Sequence, residues 1–174
     1  MKIRVAGSNE FDAVRGFYHS LIDEMQDSPY LPGWEKDIYP DNEYLRAVID
    51  RGELYVGELG DEIAAAMVLN HDCNESYASA VWPTQAMREE ITMIHILGVH
   101  PRFAGRGLAK ELVDWAIAQG GKEGQRAIRL DVLKGNLPAE RLYQSKGFRY
   151  VDTIQMFYED TGWMEFKLYE YPLV

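Results

Sequence analysis

I-H-I-L-G-V-H-P-R-F-A-G-R-G-L-A-K-E-L-V-D-W-A-I, residues 94–117, reads as a strand, a glycine-rich turn and a helix in succession. Ile94, Ile96 and Leu97 lead into Val99, and Pro101 closes the strand. Gly105 and Gly107 bracket Arg106, after which Leu108, Leu112, Trp115 and Ala116 recur at helical spacing. Such a turn builds an anion site. Glycines let backbone N–H groups approach a phosphate without a Cβ in the way, and a helix starting near Gly107 adds the positive end of its dipole.

The charge pattern agrees with an anion at this turn. The chain of 174 residues carries a formal net charge of −10, which argues against general nucleic-acid binding, because that needs a broad basic surface. Residues 1–97 hold 7 basic against 18 acidic side chains, or −11, whereas residues 98–150 hold 10 against 5, or +5. The positive excess thus coincides with the turn and the segment after it, as suits a polyanionic ligand in an otherwise acidic protein.

At 47% hydrophobic residues the chain is long enough for one core and short for two, so residues 1–174 are expected to form a single domain. The longest apolar run, Ile63 to Leu69, is too short to span a bilayer, and Met1-Lys2-Ile3-Arg4 lacks a signal-peptide hydrophobic region. A cytoplasmic protein with no membrane partner is expected. The single cysteine, Cys73, excludes an internal disulfide and a cysteine-based zinc cage, and the four histidines lack metal-ligand spacing, so no metal is expected.

Outward from the turn, the rest of the chain alternates strands and helices. Lys2–Val5 reads as a strand, and Ser8 or Asn9 as the cap of a helix with its stripe from Phe11 to Met25. Residues 27–40, with three prolines and a glycine, read as a loop, followed by a helix over 42–51. Leu54–Leu59 and Ile63–Asn70 form a hairpin around Gly60-Asp61, and the polar stretch 71–90 reads as a loop or ragged strand ends. Residues 127–133 alternate as a strand; Pro138 starts a helix that runs to Lys146, with Gly147 as its stop. Phe148–Tyr158 and Met164–Tyr171 close the chain as two strands around residues 159–162. The order is mixed α/β with several hairpins and one βαβ crossover.

Two motifs then carry a resemblance to a family. Val99-His100-Pro101 precedes A-G-R-G-L-A at 104–109, and N-x-x-A-x-x-L-Y-x-x-x-G-F stands as Asn136, Ala139, Leu142, Tyr143, Gly147 and Phe148. Together they resemble the GNAT superfamily of N-acetyltransferases, whose turn pattern is Q/R-x-x-G-x-G/A; here Ala104 replaces the Gln or Arg. The resemblance covers nearly the whole chain in element order. It implies a mostly antiparallel central sheet of six to seven strands flanked by about four helices, with a V-shaped splay between the two parallel strands.

The implied co-substrate is acetyl-CoA. Its pyrophosphate would lie on the backbone of Ala104, Gly105, Arg106, Gly107, Leu108, Ala109 and Lys110, with Arg106 and Lys110 supplying cations. Its pantetheine would lie along Leu97, Gly98 and Val99 and beside Asn136 and Ala139, with Gly98 fitting a bulge where the strands part. Tyr143 would protonate the leaving thiolate. An alkylamine of pKa about 10 must lose a proton before it attacks, and His95, or a water chain, is the expected base. His95 stands four residues before Val99, hence on the same face of a regular strand; a histidine here resembles arylalkylamine acetyltransferases, although Met93 occupies the companion position.

The acceptor, a small-molecule amine, would enter from the acidic N-terminal half. Tyr30, Trp34 and Tyr39 are placed to line its pocket and Asn70 and Asp72 to add polar contacts, which favours a cationic or aromatic amine; Trp34 and Tyr39 equally suit pinning their loop to the core. A noncatalytic acyl-CoA sensor or assembly module of the same fold is the alternative. A dinucleotide-binding oxidoreductase, suggested by G-R-G-L-A-K and Asp131, lacks the third glycine, where Lys110 stands, and the repeated βαβ units. Phe157, Tyr158, Trp163 and Phe166 on the closing strands are compatible with a homodimer.

Overall fold

The computed structural model describes every residue except Leu31, Asp160 and Val174, so those positions of the predicted loop and final turn lie outside the described residues. Seven strands form one sheet: β1 (Lys2–Val5), β2 (Leu54–Leu59), β3 (Glu62–Asn70), β4 (Ile91–Val99), β5 (Ala127–Leu133), β6 (Arg149–Tyr158) and β7 (Gly162–Pro172). Their order is β1-β2-β3-β4-β5-β7-β6, and every neighbouring pair is antiparallel except β4 with β5. The helices are α1 (Phe11–Met25), α2 (Asn42–Asp50), α3 (Leu108–Lys122) and α4 (Leu137–Ser145).

The sheet is sandwiched because β3 is apolar on both faces. Ala66 and Val68 pack with Val14, Tyr18 and Leu21 of α1 and Leu45 and Val48 of α2. Ala65, Met67 and Leu69, pointing the other way, pack with Leu112, Val113 and Ala116 of α3 and Tyr143 of α4. A third cluster fills the space beside β5 and β7, where Tyr77 and Trp82 of the 71–90 excursion meet Met156, Phe166 and Leu168. That excursion is irregular apart from short 3-10 turns at Glu75–Ser79 and Arg88–Glu90. Among the described residues no helix is long and apolar enough to cross a membrane.

Three expectations change. Ser8 and Asn9 do not cap α1: they lie in a 3-10 turn whose leading Gly7 N–H donates to the Glu10 carboxylate at 2.6 Å, a carboxylate also paired with Arg4. The bulge of β4 is not at Gly98. Val68 faces His95 and Ala66 faces Gly98, so β4 holds one residue more than β3 between these pairs, and Ile96 takes a φ of 42°. Gly98 instead permits close approach, since a Cβ there would stand 2.8 Å from Leu21 and 3.3 Å from Trp34. The extra residue also reverses the alternation, so His95 faces α1 with Val68 and Gly98, whereas Val99 faces α3 with Ala65. Of the four closing aromatics, Phe157 and Trp163 are exposed, while Phe166 is buried and Tyr158 packs on it.

Candidate active site

The site begins where β4 and β5 part. Their parallel ladder lasts from Ile91 opposite Ala127 to Met93 opposite Arg129 and then stops. Beyond it the β5-facing edge of β4 has no strand partner among the described residues. The buried Tyr18 of α1 secures the bulge by donating its hydroxyl to the Ile96 carbonyl at 2.9 Å.

A cavity of about 100 Å³ occupies the gap. It brings together His95 and Leu97 of β4, Asn136, Ala139 and Tyr143 at the start and middle of α4, and Trp34 and Tyr39 of the 27–40 loop. Asp131 of β5, Tyr158 of β6 and Phe166 of β7 complete much of the wall. A wider hollow of about 480 Å³ lies under the 71–90 excursion, but its cations are already paired, Arg129 with Glu170 and Arg88 with Asp72. Tyr77 borders that hollow and sends its hydroxyl to Asp131.

Hydrogen bonding fixes the histidine. His95 Nε2 lies 2.9 Å from the Asp72 carbonyl and 3.0 Å from Asn70 Oδ1. The Asn70 amide is oriented in turn, because Oδ1 accepts the Asp72 N–H at 3.0 Å and Nδ2 donates to Glu53 at 3.2 Å. Both partners of Nε2 are acceptors, so Nε2 carries the proton and Nδ1 presents its lone pair. Burial lowers the His95 pKa below the ordinary value, against an opposing pull from Asp131. The ring is thus a neutral base at neutral pH.

Asp131 Oδ2 accepts the hydroxyls of Tyr77 at 2.8 Å and Tyr158 at 3.1 Å. Burial nevertheless raises its pKa above the usual carboxylate range, the tyrosine hydroxyls and His95 acting the other way. Tyr143 is buried, stacked edge-on against Phe148 at 5.5 Å, and burial pushes its phenol well above the ordinary value. It therefore remains a proton donor, and its hydroxyl has no hydrogen-bond partner among the described residues. Asn136 caps α4 by accepting the Ala139 N–H at 3.3 Å, and it also lines the cavity.

At the outer end of β4, Gly105 and Gly107 adopt φ of 75° and 79°. None of the N–H groups from Gly105 to Lys110 has an acceptor among the described residues, and together they open α3. The Ala104 N–H is committed to the Pro101 carbonyl at 2.9 Å. Arg106 and Lys110 are exposed. Of the acceptor-side residues, Trp34 and Tyr39 reach the cavity, Asn70 acts behind His95, and Asp72 offers its carbonyl while its carboxylate pairs with Arg88. Tyr30 is exposed and outside the cavity lining.

The profile of the acetyltransferase (GNAT) family matches residues 18–148, spanning β4, the turn, α3, β5 and α4. The chain belongs to this family. An uncharacterized N-acetyltransferase of Methanocaldococcus jannaschii is 30% identical over 93 residues, 53% of this chain and 35% of that protein. The YesJ N-acetyltransferase of Bacillus subtilis, also uncharacterized, is 27% identical over 103 residues, 59% of this chain and 56% of that protein. The matched segments thus span about a third and just over half of these relatives. Among solved structures, an acetyltransferase-like protein of Staphylococcus aureus superposes with a TM-score of 0.72 at 24% identity over 100% of both chains. The yncA protein of Salmonella typhimurium, solved with its cofactor acetyl-CoA, gives 0.72 at 16% identity over 100% of this chain and 94% of its own. These two likenesses establish the shared fold.

Within this GNAT domain, the sequence reading passed over Asp131, Tyr77 and Tyr158 as parts of the site. A signal was available. Arg129 and Asp131 alternate with Ile128, Leu130 and Val132, which reads as a polar face turned to solvent, but a central strand has no such face, so charges there imply a buried ion pair or a lined cavity.

Proposed function

We propose that this protein is an acetyl-CoA-dependent N-acetyltransferase acting on a primary amine of a cationic or aromatic small molecule. The observation carrying the proposal is the cavity in the strand splay, with the proton-donating Tyr143 toward α4 and the neutral His95 toward the aromatic wall. Acetyl-CoA fits the residues present: among the described residues the N–H groups from Gly105 to Lys110 lack acceptors and suit its pyrophosphate, and the stretch of β4 past Met93, where the ladder with β5 has ended, suits an amide-bearing pantetheine arm. When bound, it supplies an acetyl group activated as a thioester.

The protein's own groups then manage the protons. Trp34, Tyr39 and Tyr158 line the cavity with aromatic rings that would attract a cationic amine. His95 Nδ1 takes a proton from the ammonium, leaving a lone pair on nitrogen for the new C–N bond. Tyr143 gives its proton to the sulfur as the C–S bond breaks, and the proton left on the amide-forming nitrogen restores the phenol. One proton leaves through the imidazolium.

Thiol release across a panel of amines, with titration of acetyl-CoA binding, tests the proposal. His95→Gln is expected to lower kcat by about 10²–10⁴ and to remove an acid limb lying below pH 6.5, since the rate falls only where the depressed histidine gains its proton. Acetyl-CoA binding without thiol release from any amine would favour the sensor and overturn the catalytic reading.

A further inference from the structure

Asp131 is the only acidic side chain among the described residues lining the cavity, and none of those residues is lysine or arginine. Oδ2 is occupied by the two tyrosine hydroxyls, whereas Oδ1 has no hydrogen-bond partner and no cation lies within ion-pair distance, among the described residues. An enclosed carboxylate without a counter-ion is an unfavourable arrangement, which proteins retain where a ligand supplies the missing charge. The surroundings suit that ligand. Tyr39 and Tyr158 lie 5.8 Å apart by ring centroid, Phe166 packs 5.1 Å from Tyr158, and all three line the cavity with Asp131, where aromatic rings attract a cation.

Resting on the acetyltransferase reading above, we propose that Asp131 is the counter-ion of the acceptor's ammonium group, and that the site therefore takes primary alkylamines and aralkylamines without a neighbouring carboxylate rather than α-amino acids. An α-carboxylate entering with its amine meets Asp131 in a cavity that offers it no cation, so two negative charges oppose one another out of water. An amine lacking that group brings only the charge the site is short of. The ammonium then passes one proton to His95 Nδ1, and Asp131 keeps its negative charge opposite the resulting imidazolium.

Phenethylamine and phenylalanine share a skeleton and differ in the α-carboxylate, which makes them the probes. Their binding to the full chain with CoA present is measured by titration calorimetry, and their kcat/KM by thiol release. Wild type is expected to bind phenethylammonium about 100-fold more tightly than phenylalanine. Asp131→Asn keeps an oxygen for Tyr77 and Tyr158 while removing the charge. It should weaken phenethylammonium by about 10- to 100-fold, narrow the preference, and leave acetyl-CoA affinity within about twofold. Asp131→Glu, which restores the charge, should retain the preference. Equal phenethylammonium binding by wild type and Asp131→Asn, or wild type that prefers neither probe, would overturn the inference. Failure of the acetyltransferase reading is distinguishable, because it leaves acetyl-CoA unbound or thiol unreleased while the ammonium titration still reports on Asp131.

Discussion

Replacing Glu170 with alanine should unlatch the wall behind the site at a cost of about 3–5 kcal/mol, the range for breaking a buried ion pair. Glu170 is 1% exposed and lies on β7 opposite Arg129 of β5. Its Oε2 accepts Arg129 Nε at 2.9 Å, while Oε1 accepts both the N–H and the hydroxyl of Thr84, at 3.0 and 2.8 Å. The guanidinium also donates to the Thr84 carbonyl at 2.7 Å and sits 4.1 Å above the Trp82 ring. Alanine leaves the buried cation without its anion and two Thr84 donors without acceptors. Set against a typical total of about 5–15 kcal/mol, the loss is large. Urea unfolding at pH 7 measures it. The pair Arg129→Met with Glu170→Leu removes both charges and should recover stability to within about 2 kcal/mol of wild type. A single-variant cost below about 1 kcal/mol, or a double variant no better than the sum of the singles, would refute the assignment of this pair as the latch of the 71–90 excursion.

Gly98→Ala should destabilise by about 1–3 kcal/mol and raise the acceptor KM, because its Cβ presses on Leu21 and Trp34; thermal melts and amine kinetics check both effects. Glu10→Gln should flatten the acid limb of stability. The Arg4 guanidinium and then the Gly7 N–H hold the Glu10 carboxyl down at about 2 from an ordinary 4.5. Its contribution is therefore present above pH 4.5 and is lost as pH falls toward 2. Denaturation midpoints at pH 7 and pH 3 should differ less in the variant than in wild type, and equal pH dependence would remove Glu10 as the cause.

Much of the fold was legible in local signals. The hairpin at Gly60-Asp61, the strand over 127–133 and the α4 boundaries at Pro138 and Lys146 coincide with the structure to within a residue, because glycine and proline act on their immediate neighbours. Glycine tolerates irregular backbone, so local sequence points to Gly98 for the β4 bulge. The structure puts it near Ile96, held by the Tyr18 hydroxyl from a helix 78 positions away in sequence. No local rule contains that contact.

By itself the sequence determined the order of strands and helices, the glycine turn opening α3, the position of Tyr143 on α4, and the excess of positive charge around them. Each follows from residue type at short spacing. Tertiary structure decided which way His95 points, which of its nitrogens is free, and that Asp131 shares its cavity. Side-chain direction past a bulge depends on pairing with β3, and a carboxylate's partners depend on where the strands part. Both are set by contacts between segments far apart in the chain, which alternation along one strand does not record.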